Sequence, residues 1–84
     1  MKIPKINSVK PDKDYMLRVE FDSGEAVLYD VSEDIDSIPA FEPLRSAPGL
    51  FDQVQLDQSR TIVVWNDVID LPSDTILEFG KPVR

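Results

Sequence analysis

Hydrophobic and polar positions along this chain fall into short periodic runs separated by turn residues. The clearest run is Tyr15 to Phe21. Tyr15, Leu17, Val19 and Phe21 share one face while Met16, Arg18 and Glu20 share the other, the period of two expected of a half-buried strand. Asp22-Ser23-Gly24 follows as a hairpin turn, with Gly24 able to take positive φ. The return strand is Glu25 to Tyr29. A two-residue turn at Ser23-Gly24 would set Val19 opposite Leu28, whereas a three-residue turn with a bulge at Gly24 would set Val19 opposite Val27 and Leu17 opposite Tyr29. The second register is preferred, because it places Tyr29 and Val31 on the core face.

Upstream, Lys5 to Val9 reads as a short strand bracketed by Pro4 and Pro11, and proline favours a sheet edge. Downstream, Asp30 caps a short helix with Glu33 in the capping-box position, and Val31, Ile35 and Ile38 follow helical spacing toward the core. Pro39 stops that helix, and Ala40 to Ser46 gives one further helical turn anchored by Phe41 and Leu44. Phe51 to Leu56 resumes a strand pattern, and Asp57 to Arg60 is a polar turn. It leads into Thr61-Ile62-Val63-Val64-Trp65, a β-branched and aromatic run without alternation, which predicts a central strand covered on both faces. Asn66-Asp67 forms the next turn, both residue types tolerating the left-handed region. Pro72 to Phe79 closes the chain as a helix, with Asp74 in its first turn, Gly80 beyond its end, and Ile76, Leu77 and Phe79 as its apolar side.

This order predicts one α+β domain over residues 1–84, a small antiparallel sheet of about five strands with two or three short helices on one face. The second face of residues 61–65 then needs a cover, either a curled sheet or another chain, so a homodimer is one expectation.

Composition narrows the function classes. A chain of 84 residues buries roughly 60% of its unfolded surface, and without cysteine it has neither disulfides nor thiolate metal sites to stabilise it. Sixteen acids against nine bases give a net charge of −7, which opposes phosphate binding and hence direct contact with nucleic acid. Lys2, Lys5, Lys10 and Lys13 form the one basic stretch, explained as well by protection of a sheet edge. No apolar run approaches the ~20 residues of a membrane span, Met1-Lys2-Ile3-Pro4 begins no signal peptide, and a cytoplasmic address is expected.

The acids concentrate at Asp30, Glu33, Asp34, Asp36 and Glu42, with no base before Arg45, which reads either as a solvated face or as a docking surface for a basic partner. Trp65 joins these candidates as an interface residue if exposed, although core packing is the ordinary role of Trp65, Tyr15 and Tyr29 in so small a domain. Histidine is absent, and the glycines at 24, 49 and 80 form no phosphate-binding loop, so no cofactor is expected and an enzyme is not. Asp30, Ser32, Asp34 and Asp36 begin like a calcium loop, but Ile35 stands where glycine is required and Phe41 where the closing glutamate belongs. Asp67 and Asp70 near Trp65 could pair as acid and base, but turn and cap roles account for both.

Taken together, Tyr15-Met-Leu-Arg-Val-Glu-Phe21, Asp22-Ser-Gly-Glu25, Tyr29-Asp30-Val31, Phe41-Glu-Pro-Leu-Arg45, Phe51 and Thr61-Ile-Val-Val-Trp65 leading to Asp70-Leu71 resemble the short bacterial proteins of the domain of unknown function 2442 family. Asn66-Asp67-Val68-Ile69 departs from it, since many relatives place a glycine in that turn. The resemblance implies a small α+β fold, found in some relatives ahead of a helix-turn-helix, and no catalytic residues. Some relatives are encoded beside a second short protein, which suggests an antitoxin-like or regulatory member of a two-protein system. The expected function is therefore a protein-interaction module with a protein partner. The alternative is a small-ligand-sensing accessory domain without catalysis.

Overall fold

The period-two run becomes the middle of the larger of two sheets. In a computed structural model describing residues 3–83, the strands are β1 (Ile6–Asp12), β2 (Met16–Phe21), β3 (Ala26–Asp30), β4 (Gln55–Leu56), β5 (Ile62–Val64), β6 (Asp70–Pro72) and β7 (Lys81–Pro82). The helices are α1 (Ser32–Ser37), α2 (Pro43–Ser46) and α3 (Ser73–Phe79). Met1, Lys2 and Arg84 lie outside the described residues, and with them part of the basic N-terminal stretch.

The first hairpin has the register that the bulged turn predicts. Leu17 pairs with Tyr29 and Val19 with Val27, all four side chains are buried, and Gly24 sits at φ +95°. The first strand does lie at an edge, but it runs on through Pro11 to Asp12, because an edge strand can spare the hydrogen bond that proline cannot donate. The sheet order is β1-β2-β3-β7, all antiparallel.

Tyr15 is not the first residue of β2. It follows Asp14 in a tight 3-10 turn, and both residues take positive φ, 58° and 60°. Left-handed backbone costs about 1–2 kcal/mol for each such residue. The offsetting contacts are visible: the Tyr15 ring meets Phe51 edge-on at 5.3 Å, the Arg45 guanidinium stands 5.7 Å from its centre, and the Tyr15 carbonyl accepts from Val31 N at 2.9 Å.

Residues 61–65 hold the centre of a sheet, but a separate one of three strands in the order β4-β5-β6. The single five-stranded sheet expected from sequence is thus two sheets. The segment expected as a strand from Phe51 is a 3-10 turn over Phe51–Gln53, and only Gln55–Leu56 pairs. Nor is β5 sealed on both faces. Val63 is fully buried between Leu56 and Leu71, while Ile62 and Val64 are half-exposed on a face shared with exposed Gln55, Asp70 and Pro72. β-Branched residues suit the pleated backbone even on a partly wet face, so the missing alternation reported strand propensity rather than two covered faces. The argument for a second chain covering that face loses its basis.

Both sheets contribute their apolar sides to one core, with Ile35 of α1, Leu44 of α2 and Ile76 of α3 completing it. Arg60 ties the sheets together at φ 59°. Its carbonyl accepts from Ile6 N at 2.8 Å, and its guanidinium donates to the Ile6 carbonyl at 3.1 Å and to both Asp22 oxygens at 2.7 and 2.8 Å. These hydrogen bonds hold the Asp22 carboxyl below its usual pKa. The Asn66 turn works without left-handed residues: Asn66 Oδ1 accepts from Val68 N and Ile69 N, and Trp65 N donates to the Ile69 carbonyl.

α3 is held at its start by fully buried Ser73, whose amide donates to the Thr61 carbonyl at 2.8 Å and whose hydroxyl donates to the Pro4 carbonyl at 2.6 Å. At its end, Gly80 permits close approach to β3, since a Cβ there would lie 2.8 Å from Val27 Cγ2 and 2.6 Å from the Ile76 carbonyl oxygen. Of the three apolar residues expected to pack this helix, Ile76 is buried and Leu77 half-buried, but Phe79 is 68% exposed. Ile38, expected in the core beside Val31 and Ile35, is 39% exposed because α1 ends at Ser37 and the chain turns extended before Pro39. Among the described residues no helix is long and apolar enough to cross a membrane.

Candidate functional site

The acidic segment divides between two places. Asp30 ends β3, and Glu33 and Asp34 lie in the first turn of α1, where negative charge complements the exposed amides of a helix start. Asp30 Oδ1 accepts from Ser32 N at 2.9 Å and from the Ser32 hydroxyl, so it turns the chain into α1. Glu33 does not complete a capping box: α1 has no side-chain cap at the residue before Ser32, and the Glu33 side chain is exposed. Asp36 instead forms an ion pair with Arg45 at 2.9 Å, and Glu42 accepts from the Ser46 hydroxyl at 2.9 Å.

Asp30, Glu33 and Asp34 line one side of an open groove of about 410 Å³. Its other contributors are Met16 of β2, Leu28 and Tyr29 of β3, Thr75 and Phe79 of α3, and Lys81 of β7. Asp36, Glu42 and Trp65 do not line it. Trp65 is 5% exposed, packs against Phe51 at 6.0 Å and Phe41 at 6.4 Å, and donates its indole N–H to the Phe51 carbonyl at 3.1 Å. Its candidacy as an interface residue is therefore corrected: a five-residue apolar run bounded by turns does not tell which of its members faces in, and the indole's one donor found a backbone partner in the core.

Met16, Leu28, Thr75, Phe79 and Lys81 were the residues that sequence reasoning missed at this site. Met16 had a visible signal, since the β2 alternation places it on the outer face. Phe79 did not, because helical spacing assigned it to the core.

Acids outnumber bases on the groove, with Asp30, Glu33 and Asp34 against Lys81. Tyr29 is buried at the sheet, and its hydroxyl donates to Asp34 Oδ2 at 2.6 Å. Burial above all, then this hydrogen bond and the charges of Asp34, Glu33 and Asp30, hold the Tyr29 phenol well above its ordinary pKa. The phenol is expected to stay protonated through the range near pH 10 where free tyrosine ionises. A folded-state pKa raised above the unfolded one contributes stability that is fully present below about pH 10 and is lost as the pH rises beyond it. Tyr29→Phe should remove this alkaline slope from urea-unfolding free energies. An alkaline loss of stability equal in the parent and the variant would refute the assignment.

Among the described residues no group of three or more carboxylates converges as a metal site, and Asp67 and Asp70 are both exposed, on the β5–β6 turn and on β6. The groove holds charge and apolar surface together.

No curated protein matches the chain. Among solved structures, the crystal structure of "Putative DNA Binding Protein NE0471" from Nitrosomonas europaea ATCC 19718 is similar, at 26% identity and a TM-score of 0.78. The alignment covers 92% of this chain and 48% of that one, so the chain spans about half the length of the protein it matches. Residues 6–82, which include both sheets and every groove residue, match the protein family of unknown function DUF2442, and the chain belongs to that family.

Proposed function

We propose that this chain is a protein-interaction module, without catalysis of its own, whose partner docks on the groove between β3, α1 and α3. The observation that carries this reading is the combination on one surface of three carboxylates with a phenylalanine 68% exposed to water. A ring so exposed gives up hydrophobic stabilisation that a partner would recover, and aromatic residues are enriched where partners bind. The partner is a protein in preference to a nucleic acid, because the net charge of −7 and the groove's acids oppose phosphate.

Affinity capture with quantitative mass spectrometry tests the reading. A protein retained by the parent and by Asp36→Lys, but lost with Glu33→Lys, is the expected result. The two substitutions change the net charge equally, and only the second alters the groove. A partner lost equally with both would assign binding to overall charge, and no enriched protein at all would overturn the proposal.

A second reading, a small-ligand-sensing domain, is favoured by the groove's volume, which falls in the ~300–1,000 Å³ range of ligand pockets. The similar Nitrosomonas europaea protein, named for DNA binding and twice as long, suits a sensing unit attached to an effector. A metabolite that raises the thermal midpoint of the parent but not of Asp34→Asn, with no captured protein, would favour this reading over the first.

A further inference from the structure

We propose that the groove receives a lysine- or arginine-bearing, partly apolar peptide segment of a separate protein; this rests on the interaction reading above and specifies its occupant. The carboxylates are only partly engaged. Asp34 Oδ2 takes the Tyr29 hydroxyl and Asp30 Oδ1 takes Ser32, while among the described residues their second oxygens and both oxygens of Glu33 accept no hydrogen bond. None of the three carboxylates forms an ion pair among the described residues, although Asp36, Asp22 and Glu20 all do. A cationic head group is the ligand that an anchored, unneutralised carboxylate binds most strongly.

Charge alone does not describe the surface. Leu28 and Met16 lie half-buried on the outer face of the sheet, and Phe79 stands exposed beside them. The methylene stem of lysine or arginine covers such surface while its head reaches the acids, and an apolar neighbour in the same segment would cover Phe79. Lys81, also on the groove, disfavours a uniformly basic occupant. A second copy of this chain is disfavoured by the mutual repulsion of two molecules at −7.

Fluorescence anisotropy with labelled synthetic peptides tests this. A short peptide alternating lysine with leucine is expected to bind the parent at least about tenfold more tightly than one alternating lysine with serine or glutamate with leucine. Glu33→Lys and Phe79→Ser should each weaken that binding by about tenfold, and Asp36→Lys by less than about twofold. All three positions are exposed, so circular dichroism is expected to show unchanged folding. Equal binding of the lysine–leucine and lysine–serine peptides, equal effects of Glu33→Lys and Asp36→Lys, or no binding would each overturn the proposal. So would sedimentation showing a dimer that Glu33→Lys dissociates, which would give the groove to a second copy. Should peptide binding fail while a groove-dependent partner is still captured, the interaction reading stands and only the chemistry of the occupant falls.

Discussion

Replacing Trp65 by alanine is expected to lower the unfolding free energy by about 3–5 kcal/mol, the cost of deleting a large buried ring and leaving its cavity. A domain of this size has only about 4–13 kcal/mol to lose, so the variant should sit close to its unfolding threshold. The effect is concentrated at Trp65 because three contributions meet there. Its ring stacks on Phe51 at an interplanar angle of 28°, meets Phe41 edge-on, and donates the indole N–H that satisfies the Phe51 carbonyl. Phe51 in turn packs under Tyr15, so loss of the indole also loosens the support of the left-handed Asp14-Tyr15 turn. Trp65→Phe separates the terms. It keeps a ring but leaves a carbonyl unbonded, at about 1–3 kcal/mol. Urea unfolding followed by circular dichroism measures both, since the alanine variant has no tryptophan to report fluorescence. A Trp65→Ala variant within about 1 kcal/mol of the parent would contradict the packing described.

The second large effect is expected at Ile76, where alanine should cost about 2–5 kcal/mol. Ile76 is fully buried where α3 packs on both β3 and β6, so the helix joins the two sheets. Close seating leaves no slack to refill the cavity, because Gly80 already brings the end of α3 against Val27. Phe79, three residues further along the same helix, gives the contrast. Phe79→Ser should change stability by no more than about 0.5 kcal/mol, since its ring is largely in water. Denaturant midpoints for the two variants check this. Equal losses at Ile76 and Phe79 would mean that Phe79 packs in the core, and the proposed groove would lose its apolar wall.

Phe79 also shows how far the sequence could be read. Helical spacing grouped Ile76, Leu77 and Phe79 on one side, but a seven-residue helix makes about two turns and its last residue, Phe79, stays in water. Ile38 was misplaced for the same reason, lying just beyond a six-residue helix. Periodicity is reliable over many turns and weak over two. In the first hairpin, by contrast, alternation over seven residues and a turn with one glycine left two registers, and burial of Tyr29 chose between them.

The candidate site was half legible. Asp30, Glu33 and Asp34 could be named as an acidic cluster, but Asp36 and Glu42 belonged to it only in sequence, since helical rotation and the Pro39 turn carry them to Arg45 and Ser46. The apolar half of the groove comes from residues 16, 28 and 79, which only the folded chain brings beside the acids.

By itself the sequence determined the class of fold, the first hairpin with a choice of two registers, the turns at Gly24 and Asn66 and the acidic character, because each depends on neighbours within a few residues. The tertiary structure decided that the strands divide into two sheets, that Trp65 faces inward and Phe79 outward, and that three of the acids meet an apolar wall. Those outcomes depend on contacts between segments 54 and 69 residues apart, such as Arg60 with Ile6 and Ser73 with Pro4, and no local pattern encodes which distant surface a residue will meet.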